Sequence, residues 1–125
     1  MIYERFMNTI GTVNSMGAAN MCHAASMNAA KETFGFMLNP RITKDTKFVV
    51  LWGANPYNTN KALAASIQKA CANGTKLIVV DPCNTQHAKK ADIWIPLKPG
   101  TDIFLALGMV NLIIRRKWYD EAYIE

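Results

Sequence analysis

The sequence predicts an α/β fold, a three-layer Rossmann-like parallel sheet with flanking helices. Two uninterrupted apolar runs, residues 48–52 and 77–80, have no polar alternation. Such runs are typical of strands buried on both faces of a parallel sheet. Segments with helical periodicity alternate with these strands, and that alternation indicates parallel pairing. The length of 125 residues suits one α/β domain.

Composition restricts the classes of partner. The chain is 50% hydrophobic and carries a net charge of +5, which suits an anionic partner. Its basic residues are scattered without an aromatic-basic repeat, so we expect no nucleic acid. No apolar run is long enough to span a bilayer. The three cysteines form no Cys-x-x-Cys pair, which argues against a disulfide framework or a four-thiolate metal site.

The first third of the chain is predicted to be helical. We expect a short amphipathic helix over residues 2–10 and a loop over residues 11–20. Residues 23–34 are rich in alanine and predict a second helix, which Gly35 ends in the C-cap position. Cys22 therefore lies at or just before a helix start.

The first strand and its following helix come next. Residues 48–52 form the strand, Gly53 permits a sharp turn, and Pro56 prevents the strand from continuing. Polar residues 58–60 offer N-caps for a helix over residues 61–73, whose apolar side chains recur at helical spacing.

The remaining elements repeat this order. We expect a second strand over residues 76–80, a helical turn near 86–90 and a third strand over 91–97. A strongly apolar helix follows over residues 102–116 and ends in basic residues, which suit the negative end of a helix dipole. Another helix is expected to begin near residues 119–125.

Three loops follow the carboxyl ends of these strands, over residues 52–58, 81–85 and 98–102. In an open parallel sheet such loops meet at one edge, where ligands bind. They carry groups suited to ligand binding: Gly53, Asn55, Asp81, Thr85, Gly100, Thr101 and Asp102. The predicted edge therefore combines bare backbone, amide and carboxylate groups.

The chemistry of these groups points to a nucleotide. Asp81 ends the second strand, where Rossmann-like folds hold ribose hydroxyls. Gly100 leads into a helix and offers backbone N–H groups to an anion such as a pyrophosphate. The Asp102 carboxylate can instead accept two N–H bonds from a guanine edge. The spacing resembles mononucleotide binding, but neither Gly-x-Gly-x-x-Gly nor a Walker A sequence is present.

Each of these features also has a purely structural interpretation. Residues 53–56 and the pair Asp81-Pro82 have the composition of ordinary turns. Thr101 and Asp102 have the composition of an N-cap. The functional interpretation depends on three such loops sharing one edge.

Cys22 is the principal candidate for metal chemistry. A thiolate at a helix N-terminus is stabilised by the dipole and by unpaired N–H groups, and it is a strong ligand for soft or high-valent metals. The alternative is a buried, inert cysteine. His23 is either a supporting donor or a residue of the helix start. We expect Cys71 in the core, and Cys83 and His87 at the surface.

The ordered set of motifs resembles the molybdopterin oxidoreductase (dimethyl sulfoxide reductase) superfamily. The resemblance covers almost the whole chain and is carried by Asn-Met-Cys-His-Ala-Ala-Ser over residues 20–26, Phe34-Gly35, Phe-Val-Val-Leu-Trp-Gly-Ala-Asn-Pro over residues 48–56, residues 76–85, Ala88, Ala91-Asp92, Pro-Gly-Thr-Asp over residues 99–102 and Tyr119-Asp120. No single motif is decisive, but their order is specific.

The resemblance implies a part of an oxidoreductase that holds molybdenum or tungsten between two molybdopterin guanine dinucleotides. It implies that Cys22 is the metal ligand and, with His23, a catalytic residue. It implies cofactor contacts at Trp52, Gly53, Asn55, Asp81, Pro82, Thr85, Pro99, Gly100, Thr101 and Asp102. Cys83 stands where family members usually have an arginine, so the phosphate or base contact of that arginine is in doubt.

The resemblance also implies a larger protein. Residues 1–125 would form one α/β subdomain, and the iron–sulfur segment and the other cofactor-binding domains would lie elsewhere in the subunit. A start directly in a helix and an uncapped end fit an excised piece without a signal peptide. The expected partners are those missing domains and an electron-transfer iron–sulfur subunit. The isolated piece should be inactive and prone to self-association through uncovered surfaces.

Two other interpretations remain open. One is a free-standing nucleotide-binding or regulatory α/β module without redox activity, and the other is a scaffold domain without a ligand. The family motifs are shared by enzymes for formate, polysulfide, thiosulfate, nitrate and sulfoxide. They therefore leave open the substrate, the choice between molybdenum and tungsten, and a cytoplasmic or periplasmic location in a prokaryote.

Overall fold

The computed structural model describes residues 2–14, 17, 23–37 and 41–124. The chain divides into two compact units, Met1–Arg41 and Ile42–Glu125. The predicted metal ligand Cys22 lies outside the described residues.

The first unit contains two helices, α1 (Ile2–Thr9) and α2 (Ala24–Phe34). Gly35 follows α2 in the left-handed conformation with φ 77°, and its backbone N–H donates to the Lys31 carbonyl at 2.9 Å. The predicted glycine C-cap is confirmed.

The second unit contains a three-stranded sheet with strands β1 (Phe48–Trp52), β2 (Lys76–Val80) and β3 (Ile93–Ile95). The strand order is β1-β2-β3, and both pairings are parallel. Trp52 lies opposite Val80, and Val80 opposite Ile95. The predicted α/β class with a parallel sheet and flanking helices is confirmed.

The helices of the second unit follow the predicted order with one addition. They are α3 (Pro56–Thr59), α4 (Lys61–Ala72), a 3₁₀ turn (Ala88–Lys90), α5 (Asp102–Arg115) and α6 (Glu121–Ile124). The Asn60 side chain accepts a hydrogen bond from the Leu63 backbone N–H at 3.0 Å and so caps α4. Helix α3 was not predicted. Pro56 not only ends the extended chain but begins this helix, since the first helical position needs no N–H.

The core lies on one face of the sheet. Leu51, Leu77 and Val79 are buried there together with Ile67 of α4 and Ala88 of the 3₁₀ turn. Successive side chains of a strand point to opposite faces, so this packing covers alternate strand residues. Val80 lies on the other face and is buried at the carboxyl end of β2.

The opposite face corrects one prediction. The apolar run of β1 predicted burial on both faces, but the side chains of Phe48 and Val50 are 65% and 50% exposed. Helix α5 contains no buried residue either. The prediction of two-sided burial is therefore wrong for β1 within this chain.

Helix α5 is apolar on most of its surface and is nevertheless exposed. The exposed apolar residues are Ile103, Phe104, Leu107, Met109, Val110, Leu112, Ile113 and Ile114. A helix that is apolar nearly all round is typical of the interior of a larger protein. These eight residues form the exposed apolar surface of α5.

Candidate functional site

The three predicted loops leave the sheet side by side. The Gly53 backbone N–H donates to the Val80 carbonyl at 2.8 Å, and the Asp81 N–H donates to the Ile95 carbonyl at 3.2 Å. The carboxyl ends of all three strands are therefore level. The predicted gathering of the loops at one sheet edge, here called the carboxyl edge, is confirmed.

A side-chain hydrogen bond joins two of the loops. Trp52, the last residue of β1, donates from indole Nε1 to Asp102 Oδ1 at 2.7 Å. Asp102 is the first residue of α5, so the bond links the end of β1 to the segment that follows β3. The short distance is that of a charge-assisted hydrogen bond.

A second indole supports the loop after β2. Trp94 of β3 donates from Nε1 to the backbone carbonyl of Asp81 at 2.9 Å. The Asp81 carboxylate accepts from the Cys83 N–H at 2.7 Å, which closes a local turn around Pro82. Asp81-Pro82 thus forms a turn, as its structural interpretation predicted. The Cys83 N–H of this turn occupies one lone pair of the Asp81 carboxylate.

Two glycines of the carboxyl edge have open backbone. Gly53 and Gly100, which follows Pro99, have φ values of 56° and 83°, a region that disfavours other residues. A Cβ atom built on either would meet no other atom within 4 Å. Both glycines leave space in which a ligand can approach the main chain.

Asn55 carries an unsatisfied polar atom. Its Oδ1 is buried and has no hydrogen-bond partner in the described part of the chain. Its main-chain carbonyl is satisfied, because it accepts from the N–H groups of Asn58 and Thr59 at 3.0 and 3.2 Å. Leaving a buried acceptor unpaired costs about 1–3 kcal/mol, so the amide is suited to a donor that these residues do not supply.

The threonines of the carboxyl edge make local bonds. Thr85 Oγ1 accepts from the Ala88 N–H at 3.1 Å and caps the 3₁₀ turn. Thr101 Oγ1 donates to the Lys98 carbonyl at 2.6 Å, so Thr101 holds the N-cap position without making a side-chain cap. Thr101 therefore occupies the predicted N-cap position, but its side chain does not cap the helix.

The predicted catalytic pair belongs to the first unit. His23 immediately precedes α2 at the N-cap position, is exposed, and makes no side-chain cap. Cys22 precedes it outside the described residues, so its relationship to the carboxyl edge stays a prediction. Within the described part of the chain, no group of three or more His, Cys, Asp or Glu residues is arranged to hold a metal ion.

His87 corrects another prediction. It was expected at the surface, but its side chain is 2% exposed, and both ring nitrogens lack a partner among the described residues. Its ring lies against Tyr57 with a centroid distance of 4.3 Å. Burial lowers the pKa of His87, and the Lys90 charge lowers it further. The predicted helical turn near residues 86–90 is present, but its packing on the core through Ala88 was not predicted.

The remaining cysteines differ in their exposure to solvent. Cys83 is exposed, as predicted, and Cys71 is half-buried against the core. Burial, followed by the Asp92 charge, raises the pKa of the Cys71 thiol, which keeps it protonated. Cys71 also lines a cavity of about 310 Å³ with Tyr57 and His87, on the helix-covered face and not at the carboxyl edge.

The family follows from comparison with known proteins. A family model described as molybdopterin oxidoreductase matches residues 1–124. The chain belongs to the molybdopterin oxidoreductase family. It is 34% identical over 123 residues to the probable oxidoreductase YoaE of Bacillus subtilis, covering 97% of this chain and 18% of that protein. It is 37% identical over 123 residues to acetylene hydratase of Syntrophotalea acetylenica, covering 98% of this chain and 17% of that protein.

A solved structure matches this molybdopterin oxidoreductase chain as well. Acetylene hydratase from Pelobacter acetylenicus superimposes with a TM-score of 0.74 at 32% identity, over 98% of this chain and 17% of that one. The chain thus spans less than a fifth of the length of these relatives. No helix in the described ranges is long and apolar enough to cross a membrane.

Membership of the family implies a molybdopterin cofactor with molybdenum or tungsten. The carboxyl edge fits a group of that kind. Gly53 and Gly100 leave open backbone, and the Asn55 amide has a buried acceptor without a donor. These open groups leave room for such a ligand at the carboxyl edge.

Trp94 has a role at this edge that was not predicted from the sequence. It was assigned to the third strand without a role, although its indole holds the Asp81 loop. A tryptophan near the end of a strand was the available signal, because a partly buried indole N–H usually finds a hydrogen-bond partner.

Proposed function

We propose that this chain is one dinucleotide-binding subdomain of a molybdenum- or tungsten-dependent oxidoreductase catalytic subunit. Its carboxyl edge would bind one molybdopterin guanine dinucleotide, and the other dinucleotide would be held mainly by the rest of the subunit. The Trp52–Asp102 hydrogen bond of 2.7 Å carries the proposal, since it brings two separate loops of the predicted site together.

Each loop has a distinct proposed role. Gly53 and Gly100 allow close approach of the main chain to the cofactor, and the Asn55 amide accepts one of its donors. Asp81 and Thr85 border the ribose. Pro82 and Pro99 restrict the backbone of their loops and so keep these groups in position.

Asp102 is the proposed guanine ligand. Its carboxylate offers about four lone-pair sites, of which Trp52 occupies one. The remainder suffices to accept the two adjacent N–H groups of a guanine edge. Carboxylate bonds of this type are short and strong.

The metal is proposed to bind to the first unit. Cys22 would supply a thiolate ligand, and His23, which immediately precedes α2, would supply a nearby donor. The bound metal supplies the redox chemistry, while the protein binds the cofactor and orients it. An iron–sulfur cluster and an electron-transfer subunit would belong to the rest of the enzyme.

The exposed apolar surface of α5 supports a part of a larger subunit over a free-standing nucleotide-binding module. A module that worked alone would keep eight large apolar side chains of one helix in water, which is unusual for a soluble monomer. If the chain is part of a larger subunit, we also expect it to be inactive when it is separated from the rest of that subunit.

The cofactor proposal is tested by nucleotide content. The intact subunit is purified as the parent, as Asp102→Ala and as the control Asp45→Ala, and GMP released by acid hydrolysis is measured per subunit. Asp45 is exposed and precedes β1 at the opposite end of the sheet. We expect Asp102→Ala to retain far less GMP than the parent and Asp45→Ala to match it. Equal GMP in all three proteins contradicts the proposal.

The metal proposal is tested separately. Molybdenum and tungsten content of the intact Cys22→Ala subunit is compared with that of Cys71→Ala, which removes a thiol from the core side of α4. We expect an altered metal spectrum and metal loss only for Cys22→Ala. An unchanged metal signal removes Cys22 from the role.

A further inference from the structure

Asp102 has a single partner in the described part of the chain. Its carboxylate is exposed and accepts one hydrogen bond, from Trp52 Nε1 at 2.7 Å. It does not satisfy a neighbouring turn as Asp81 does. Its neighbour Thr101, in the N-cap position, bonds to Lys98 instead. The carboxylate is therefore held by a residue fifty positions away and by none of its own loop.

The indole restricts the orientation of this carboxylate. An exposed aspartate normally rotates about its terminal torsion, which is broad. The Trp52 backbone is anchored as the last residue of β1, the residue is half-buried, and its indole N–H points to Asp102 Oδ1. A bond to Oδ1 from a fixed direction also fixes the plane of the carboxylate, and it leaves Oδ2 and one lone pair of Oδ1 available.

We infer that Trp52 is a positioning residue that sets the guanine selectivity of the site through Asp102. This inference rests on the proposed function, in which Asp102 binds the guanine. A carboxylate held in one plane accepts two N–H groups only when they lie side by side, as N1–H and the exocyclic N2–H of guanine do. Hypoxanthine lacks the second donor, and adenine presents an acceptor at N1, so both lose at least one bond.

Selectivity should therefore depend on the indole N–H and not on the ring alone. A site that holds polar groups in place for a substrate donor discriminates strongly against the analogue that lacks it. When the carboxylate is free to rotate, it can satisfy its lone pairs with water, and the difference between guanine and hypoxanthine decreases.

The test uses the intact subunit without its cofactor and measures binding of GDP and IDP by calorimetry. IDP differs from GDP only in lacking the exocyclic amine. Trp52→Phe keeps an aromatic ring but removes the N–H donor. We expect this variant to bind GDP about tenfold more weakly, a loss of about 1.4 kcal/mol, and to lose most of its preference for GDP over IDP.

A double-variant cycle identifies the route of the effect. In an Asp102→Ala background, Trp52→Phe should change neither GDP affinity nor the GDP-to-IDP ratio, because the group on which the indole acts is gone. Trp118→Phe is the matched control, since Trp118 is exposed and makes its ring contact with Arg116. It should match the parent in both affinities.

The outcomes separate this inference from the proposed function. If Asp102→Ala loses GDP binding while Trp52→Phe keeps the parent's affinity and ratio, the inference is overturned and the function stands. An equal effect of Trp52→Phe in both backgrounds overturns the inference as well, because the tryptophan then acts through the fold. If Asp102→Ala binds GDP and IDP as the parent does, the proposed function itself fails.

Discussion

Trp94 donates its indole N–H to the backbone carbonyl of Asp81 at 2.9 Å. The bond connects the third strand to the loop that follows the second, beside the turn that Asp81 closes with Cys83 at 2.7 Å. Since Trp52 holds Asp102 at the same edge, two indoles fix the two loops that carry the candidate carboxylates.

The first prediction concerns this support. Trp94→Phe should increase backbone hydrogen exchange over residues 81–85, because one hydrogen bond, about 1 kcal/mol, no longer holds the loop. Mass spectrometry of the intact subunit measures it, with Trp118→Phe as the control. Exchange in this loop that stays as slow as in the parent would show that the Trp94 bond does not stabilise it.

The second prediction concerns His87. Its folded pKa lies below its unfolded value because burial and Lys90 disfavour the charged form. The unfolded chain therefore takes up the proton first. The contribution of neutral His87 to the free energy of unfolding is fully present at neutral pH. It decreases as the pH falls below about 6.5, by up to about 1.4 kcal/mol per pH unit until the folded pKa is reached.

His87→Leu removes this dependence and also two unpaired buried nitrogens. We expect the variant to gain thermal stability over the parent as the pH is lowered from 8 to 5, measured as the difference in Tm within the intact subunit. His23→Gln is the control, because His23 is exposed. A stability difference that stays constant with pH would contradict the assignment.

The third prediction concerns the Lys76–Asp92 pair. Lys76 Nζ lies 2.8 Å from Asp92 Oδ1, and Asp92 Oδ2 accepts from the Leu77 N–H at 2.9 Å. The bond from Lys76, followed by the Leu77 N–H, lowers the pKa of Asp92 below its usual value. The stabilisation is therefore present above the unfolded pKa and is lost as the pH falls through the lower folded pKa.

Asp92→Asn should lower the Tm at neutral pH, and the difference from the parent should shrink on acidification. Lys76→Gln should have a smaller effect, since the bond to the Leu77 N–H remains and the pair is exposed. If Lys76→Gln destabilises the subunit as much as Asp92→Asn does, the ion pair and not the backbone bond dominates.

The fourth prediction concerns the exposed apolar surface of α5. If other parts of a longer subunit cover this helix, Leu107→Asp should destabilise the intact protein by more than about 2 kcal/mol, because it buries an unpaired charge. Lys89→Gln, at an exposed position that already carries a charge, should change stability by less than about 0.5 kcal/mol. Denaturant unfolding measures both, and equal, small effects would favour a free-standing module.

Local features of the fold were predictable where one residue type determines the conformation. Strand β1 coincides with its apolar run, β2 begins at Lys76, one residue before its run, and Gly35 ends α2 with a φ of 77°. Helix α3 was missed because Pro56 was interpreted only as an interruption of the strand, although proline also begins helices.

Features that depend on contacts distant in sequence were not predictable in the same way. The burial of His87 depends on Tyr57, thirty residues earlier, and the Trp52–Asp102 bond spans fifty residues. The exposure of Phe48 depends on what covers the second face of the sheet. Parallel pairing nevertheless predicted the shared edge, since it places all strand ends of one direction together.

A crystal structure of the intact, cofactor-loaded subunit tests the central claim most directly, through the distance between the Asp102 carboxylate and the guanine of a bound dinucleotide. We predict that both N1 and N2 of the guanine lie about 2.7–3.2 Å from the carboxylate oxygens, with Trp52 still bonded to Oδ1. A dinucleotide bound elsewhere, with this edge of the sheet covered by protein, would contradict it.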